Sequence, residues 1–316
     1  VDFFLQQLIN GLSLGALYAL IAVGYTVVYG IVQLINFAHG EIFMIGAFGA
    51  YAVWIVIGKP TGWDVGPSLL VLLPLMIIGG IAASVTVALL TERLAYRPLR
   101  NAPRLAPLIS AIGVSVFLQE AVRLFYGTIP GFPDAKAGFP FPTVTGISGR
   151  MVEVGGVILQ FSTLFTIGAL IVCTVGLWYF VNRTKVGRAM IATSQDPDTA
   201  RLMGINVDRV IMAAFAVGAA LAAIAGVAHG LRYQTIIGDM GFMAGLKAFT
   251  AAVLGGIGNI YGALVGGVVL GVVESLSAAY LGGGSAWKDV WAFGLLILVL
   301  VFRPQGLLGA KVVDRA

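Results

Sequence analysis

Apolar runs of about twenty residues recur along the whole chain with short polar breaks between them, and each is long enough to cross a bilayer as a helix. Lipid offers the backbone no hydrogen bonds, so a spanning segment must satisfy its amides and carbonyls internally. The ten-residue alternation of membrane strands is missing. The sequence therefore predicts an all-α polytopic membrane protein with about eight or nine hydrophobic helices, some short, Gly-broken or re-entrant. Residues 1–316 form one transmembrane domain. Only 10% of residues are charged and 59% are hydrophobic, against about 25% charged in soluble domains. The net charge of +5 sits at the ends of the apolar runs, which points to membrane orientation and not to nucleic acid. Cys173 is the one cysteine, so no intrachain disulfide forms. Neither a zinc-ligand pattern nor a Walker motif occurs, which predicts no metal site, no bound cofactor and no ATP hydrolysis by this chain. The start lacks a basic region and an early small-residue cleavage site, so its first apolar run is expected to be a retained span.

That run, Phe3–Val32, carries Gly11 and Gly15, four apart, a spacing that lets membrane helices approach closely. Residues 34–58 open on Asn36, His39 and Glu41. Asn36 is placed to cap a helix whose first turn holds His39 and Glu41. Polar groups there suit a discontinuous helix near a transport pathway or gate; the alternative is an interfacial helix start with no transport role. Further spans are expected at Leu69–Leu90, Leu105–Phe125, Phe161–Phe180, Val210–Gly230, Ile260–Tyr280 and Val290–Phe302. Glu120 and Arg123 are placed either to pair or to reach the headgroups separately. Gly127–Gln160 is rich in Gly and Pro and reads as an exterior loop, with short β segments near Arg150–Leu159. Gly241–Gly256 is short for a span and contains Lys247. A lysine at the centre of a helix in lipid costs about 2.5–3.5 kcal/mol, so Lys247 must face the bundle interior or a wet cavity. Gly255, Gly256 and Gly258 are expected to break the helix, and Gly258, Gly262 and Gly266 repeat at four-residue spacing as a second close-packing stripe. Glu274, inside the next span, is either a functional group or a buried polar contact. Residues 34–50 and 238–256 both place polar groups before a short Gly-rich helix, a pairing that points to a central translocation site.

With nine crossings that start outside and end inside, the inside segments hold twelve Lys and Arg and the outside loops hold five. This is the asymmetry of the positive-inside rule. If Gly241–Gly256 re-enters without crossing, the parity changes and the start moves inside. The inside segment 182–209 is the one long polar island: Asn182–Asp208 holds four basic and three acidic residues. Asp196, Pro197 and Asp198 suit the first turn of a short helix, and Gly204 suits its end. Such a helix presents Leu202 and Met203 beside Arg201. Apolar residues in that position need either a protein partner or the bilayer surface.

Four stretches carry a resemblance over essentially the full length: GLSLGALYALIAVGYTVVYGIVQLINFAHGEIFMIGAF (11–48), TERLAYRPLRNAPRLAPLISAIGVS (91–115), RTKVGRAMIATSQDPDTARLMGIN (183–206) and AVLGGIGNIYGALVGGVVLGVVE (252–274), with VFRPQGLLG (301–309) after them. In these the chain resembles the inner-membrane permease subunits of bacterial ABC importers for branched-chain amino acids, of the LivH type. The resemblance implies a non-catalytic, multi-pass subunit of the bacterial inner membrane with a cytoplasmic C-terminus. It implies a LivM-type partner permease, two cytoplasmic ATPases of the LivG and LivF type that use ATP and Mg, and an external substrate-binding protein. It makes residues 182–209 a cytoplasmic coupling region, with Asp196, Asp198, Arg201, Leu202 and Gly204 as ATPase contacts. Leu, Ile and Val are the default cargo. Urea, short amides or other amino acids are the alternative within the family, and an ion-coupled secondary transporter using Glu274 is the rival class.

Overall fold

The computed structural model describes residues 2–62, 69–100, 102–103, 105–144, 147–149, 151–281 and 284–309. Arg104, Arg150, Lys311 and Arg315, which enter the charge argument, lie outside the described residues. Among those described, eight helices are long and apolar enough to cross a membrane, and one shorter apolar helix, Met240–Gly255, joins them. In chain order the helices are α1 (Asp2–Val32), α2 (His39–Val53), α3 (Lys59–Thr61), α4 (Leu69–Thr91), α5 (Leu105–Phe125), α6 (Phe161–Arg183), α7 (Lys185–Gln195), α8 (Pro197–Leu202), α9 (Val207–Tyr233), α10 (Met240–Gly255), α11 (Ile260–Tyr280) and α12 (Lys288–Phe302). A π-helical turn, Trp54–Gly58, joins α2 to α3 in one span. Four short strands make two small pairs: β1 (Phe139–Pro140) with β4 (Thr235–Ile236), and β2 (Met151–Val154) with β3 (Val157–Gln160).

Helix α1 is the centre of the bundle, and its residues from Ala16 to Val28 are all buried. Lipid tails are as apolar as leucine, so helices associate in a bilayer through close van der Waals packing. Here α1 and α11 approach backbone to backbone. A Cβ on Gly15 would lie 2.7 Å from Val268 Cα, one on Gly11 2.7 Å from Val272 Cα, and one on Gly267 2.5 Å from Ala19 Cα. On the other side of α11, Gly262 and Gly266 press against Gly255 and Ala251 of α10. Gly258 does not belong to that stripe. It lies in the turn before α11 with φ +93°, and a Cβ there would meet only Tyr29, at 4.0 Å. Its role is to permit the turn.

Two faces of the bundle can be followed from contacts. Near the start of α1, Gln6 exchanges hydrogen bonds with the backbone of Ile158 in β3, and Phe3 and Phe4 meet Tyr280 at the end of α11. At the other face, Val28 and Val32 near the end of α1 pack with Tyr96, Ala200, Val207 and Ile211. The tail joins that second face, where the Leu307 and Leu308 amides donate to the Leu254 and Gly255 carbonyls. The passage from Tyr233 to Ile260 through α10 carries the chain from the first face to the second. It counts as the ninth traverse, so the start of α1 and the tail lie on opposite faces.

The region 127–160 is more than a loop. Ala135, Phe139, Phe141 and Val144 are buried against Met44–Tyr51 of α2 and Val227 and Leu231 of α9. Strand β1 ties it to β4 at the end of α9, and the Gly238 amide donates to the Ala135 carbonyl. Glu120 and Arg123 pair at 2.7 Å on this face.

The close contact of α1 and α11 makes a direct prediction. Gly15→Ala is expected to cost about 1–3 kcal/mol through overpacking, because the new Cβ would meet the Val268 backbone. Gly294→Ala in α12, where nothing lies within 4 Å, is expected to be neutral or to gain up to about 1 kcal/mol from helix propensity. Thermal unfolding of the detergent-solubilised protein separates the two, and equal melting temperatures would contradict the packing described.

Candidate functional site

The polar residues singled out by the sequence as candidate site residues fall into two interior clusters and one exposed region. The first cluster surrounds the break between α1 and α2. Residues 33–38 leave the helical conformation, and α2 starts at His39 with Ala38 at its N-cap and no side-chain cap. Asn36 is therefore not the side-chain cap that its position suggests. Its backbone carbonyl accepts from the His39 amide at 3.0 Å, and its side-chain oxygen accepts from the Tyr96 hydroxyl at 2.6 Å. That bond ties the break to the end of α4. His39 and Glu41 are buried. The His39 ring lies 4.6 Å from the Tyr25 ring, and the Ser115 hydroxyl of α5 donates to Glu41 Oε1 at 3.3 Å. His39 Nε2 and Glu41 Oε2 have no hydrogen-bond partner among the described residues.

The starts of α2 and α10 meet here. A Cβ on Gly40 would lie 2.8 Å from Gly245 Cα, and one on Gly241 would strike Glu41. The two segments whose sequences echo each other are thus in direct contact, and glycine on both sides permits it.

The second cluster is ionic. Lys247 of α10 donates to Glu274 Oε1 at 2.8 Å and lies 2.6 Å from Asp289 Oδ1. The Tyr18 hydroxyl of α1 donates to Glu274 Oε2 at 2.9 Å. Lys288 Nζ stands 3.7 Å from Glu274 Oε1. The side chains of Lys247 and Glu274 are 8% and 2% exposed, so the lysine faces the interior and does not contact lipid. This cluster borders a cavity of about 560 Å³ lined by parts of α1, α9, α10 and α11 and by the start of α12. Lys247 and Glu274 line it, whereas Asn36, His39 and Glu41 do not. Reading along the sequence finds Lys247 and Glu274, because a charge inside an apolar run stands out. It misses Tyr18, Lys288 and Asp289. Tyr18 is one aromatic among many, and the other two sit in what reads as a connecting loop.

The exposed region lies on the opposite face. The Thr184 hydroxyl caps α7 by accepting from the Gly187 amide at 3.0 Å. Asp196 caps α8, accepting from the Asp198 and Thr199 amides at 2.9 and 3.1 Å and from the Thr199 hydroxyl at 2.5 Å. The Thr199 hydroxyl first, then the two amides, hold this carboxyl below its ordinary range. Gly204 ends the segment with φ +81°, a left-handed conformation that side chains resist. Asp198 and Arg201 pair with each other at 2.7 Å. Ala200 is buried, whereas Leu202 and Met203 are 87% and 79% exposed. Asn206 then caps α9 through the Arg209 amide at 3.1 Å. Two residues on, Asp208 accepts from Arg100 at 2.5 Å and pairs with Arg97, and Arg100 also pairs with the buried Glu92. From the sequence, Arg97 and Arg100 are orienting charges only. The structure gives them a partner at the base of α9.

Removing one partner from a buried ion pair strands the other charge. Lys247→Met is therefore expected to destabilise the protein by about 3–5 kcal/mol, and Lys247→Met with Glu274→Gln to recover much of that loss. Thermal unfolding of single and double variants checks this, and strict additivity would contradict the coupling.

The model of the permease component of branched-chain amino acid transport systems matches residues 7–300. The chain is 45% identical to the high-affinity branched-chain amino acid transport system permease protein BraD of Pseudomonas aeruginosa, over 99% of this chain and 98% of that protein. It is 44% identical to the corresponding LivH permease proteins of Escherichia coli K12 and of Salmonella typhimurium, again over 99% of this chain and 98% of each. The match runs almost the full length of the chain, whose described residues form eight spans and one shorter apolar helix: the chain belongs to the branched-chain amino acid transport permease family.

Proposed function

We propose that this chain is the membrane-spanning permease subunit of an ATP-driven importer of leucine, isoleucine and valine, moving its cargo by alternating access. The observation that carries the reading is the near-full-length identity to permease proteins of high-affinity branched-chain amino acid transport systems. In this reading the chain does no chemistry. It pairs with a homologous LivM-type permease, receives substrate from an external binding protein and docks two cytoplasmic ATPases of the LivG and LivF type, which hold ATP and Mg. It resides in the bacterial inner membrane. Arg93, Arg97, Arg100, Arg183, Lys185, Arg188, Arg201 and Arg209 gather on the face that carries α7, α8 and the tail, and the positive-inside rule supports a cytoplasmic position for that face. Residues 127–160 then lie outside.

Residues 182–209 form the coupling region of this proposal. Leu202 and Met203 are large apolar side chains held out from the protein, which suits insertion into a protein cleft. Asp196 and Gly204 fix the start and end of the presenting helix, and Asp198 and Arg201 flank the apolar tip. Asn36, His39 and Glu41, at the contact of two interrupted helices, suit a gate. ATP enters this scheme as differential stabilisation of two conformations.

Reconstitution tests the function. Liposomes holding this chain, its partner permease and both ATPases are expected to take up labelled leucine only with ATP and binding protein. Uptake by this chain alone under an ion gradient would establish the secondary-transporter class instead. Leu202→Asp is expected to weaken retention of the ATPases by at least about tenfold, as for an anchor residue in a protein interface. Unchanged co-purification together with unchanged substrate-stimulated hydrolysis would remove α8 from the coupling role.

A further inference from the structure

The cavity beside the ionic cluster has the size and chemistry of a ligand site. Its volume, about 560 Å³, falls within the roughly 300–1,000 Å³ of small-molecule pockets. Part of its lining is apolar: Leu14, Leu17 and Ile21 of α1, Phe43 of α2 and Met243 of α10. Another part is charged: Arg232, Lys247, Lys288 and Glu274. Cations exceed anions there. Lys247 and Lys288 share Glu274 and Asp289, two cations against two carboxylates, which leaves Arg232 as the excess cation. Lys288 stands 3.7 Å from Glu274, which already holds Lys247 and Tyr18. Arg232 has one long bond, 3.4 Å from Nη2 to the Asn10 carbonyl. Its Nη1 is buried with no hydrogen-bond partner among the described residues, and so is His229 Nδ1 one turn away. Arg232 as a whole is half-buried, but a guanidinium nitrogen withdrawn from water with no acceptor is costly unless something acidic meets it.

The lining determines the chemistry of a ligand that would match it. It carries one carboxylate, for Arg232 and Lys288. It also carries a cation, because Glu274 and the rings of Tyr18 and Tyr233, which already face Lys247 and Arg232 respectively at 5.7 Å, border the same space, repel a polyanion and suit an ammonium that shares them. It carries a short apolar group for the leucine, isoleucine and phenylalanine walls.

We propose that this cavity binds an aliphatic α-amino acid as its zwitterion, with the carboxylate on Arg232 and Lys288, the ammonium against Glu274 and the tyrosine rings, and the side chain on Leu14, Leu17 and Ile21. The proposal rests on the importer reading and gives it a substrate site within this chain. The cavity is the space where α1, α9, α10 and α11 converge, and Lys288 at its edge is 42% exposed. Cargo arriving from that face meets the charged lining first.

Binding of labelled leucine to the assembled importer in nanodiscs, without the external binding protein, tests the site. Arg232→Gln is expected to weaken binding by about tenfold or more, the usual effect of losing a charge-assisted hydrogen bond. Glu120→Gln, on the exposed pair away from the cavity, should bind as the unmodified importer does. A second measurement does not depend on how Arg232→Gln folds. In a Cys173→Ser background, Ala278→Cys places a thiol in the cavity lining. Leucine is expected to slow its maleimide labelling several-fold, whereas isopentylamine and 4-methylpentanoate, each lacking one of the two charges, should protect less. Wild-type affinity in Arg232→Gln together with unprotected labelling overturns the site. If the importer shows ATP-dependent leucine uptake in that case, only the site falls; absence of any such uptake overturns the importer reading itself.

Discussion

The backbone contact between α1 and α11 is the constraint on which the rest of the bundle depends. In water, burial of apolar surface would hold two such helices together. In lipid that force is gone, and attraction must come from atoms placed at van der Waals distance. Gly11 and Gly15 on one helix and Gly267 and Gly271 on the other remove the side chains that would keep the axes apart. The contact also sets which side chains face each other farther along both helices. One turn past Gly271, Glu274 comes to face α1, where Tyr18 donates to it at 2.9 Å. The position of the buried carboxylate is thus a consequence of glycine spacing.

Once Glu274 is fixed in the interior, the surrounding charges are constrained as well. A carboxylate withdrawn from water requires a cation with good geometry, since its desolvation cost is several kcal/mol by general estimate. Lys247 meets that need, and α10 brings it there by packing its Ala251 and Gly255 against Gly262 and Gly266 of α11. Asp289 then offsets the lysine from the start of α12. Four helices are joined through one cluster, and their relative positions cannot change without breaking charge-assisted bonds. A transport cycle that moves these helices must therefore exchange these partners for others, and a charged ligand in the adjoining cavity is chemically able to take part in that exchange.

The sequence made the spans legible because lipid imposes a single rule on every segment that crosses it. The expected Leu105–Phe125 and Ile260–Tyr280 match helices with the same bounds, and the short Lys247 helix stands where Gly-rich turns bracket it. Three features were not legible, each for a physical reason. Asn36 has the position of a cap, but a turn intervenes before α2 starts at His39, and the Asn36 side chain is taken by Tyr96, sixty residues on. Gly258 reads both as a helix breaker and as the first step of a stripe with Gly262 and Gly266; its φ of +93° bears out the break and removes it from the stripe, because spacing says nothing of φ. Phe139 and Phe141 sit in a stretch with the composition of a loop, and only the proximity of α2 and α9 buries them. Local pattern reveals what the solvent demands of a segment; partners distant in sequence are set by packing.

The same distinction bears on how the two faces communicate. Helix α9 begins shortly after Gly204, with Asn206 as its cap. It ends at the cavity, where His229 and Arg232 form part of the lining. Its 27 residues make a rod about 40 Å long. At its base Asp208 is fastened to Arg97 and Arg100, and Arg100 to the buried Glu92, so the end of α4 moves with it. If α8 has the docking role proposed above, its displacement has only the turn 203–206 to cross before it meets α9. It would then act on a helix clamped at the base to a second span, and would reach the far face as a movement of Arg232 relative to Lys247 and Glu274, which belong to other helices. Under that proposal a rigid rod needs no chain of side-chain rearrangements to link the docking surface with the cavity, because the change at each would be one rotation seen from its two ends.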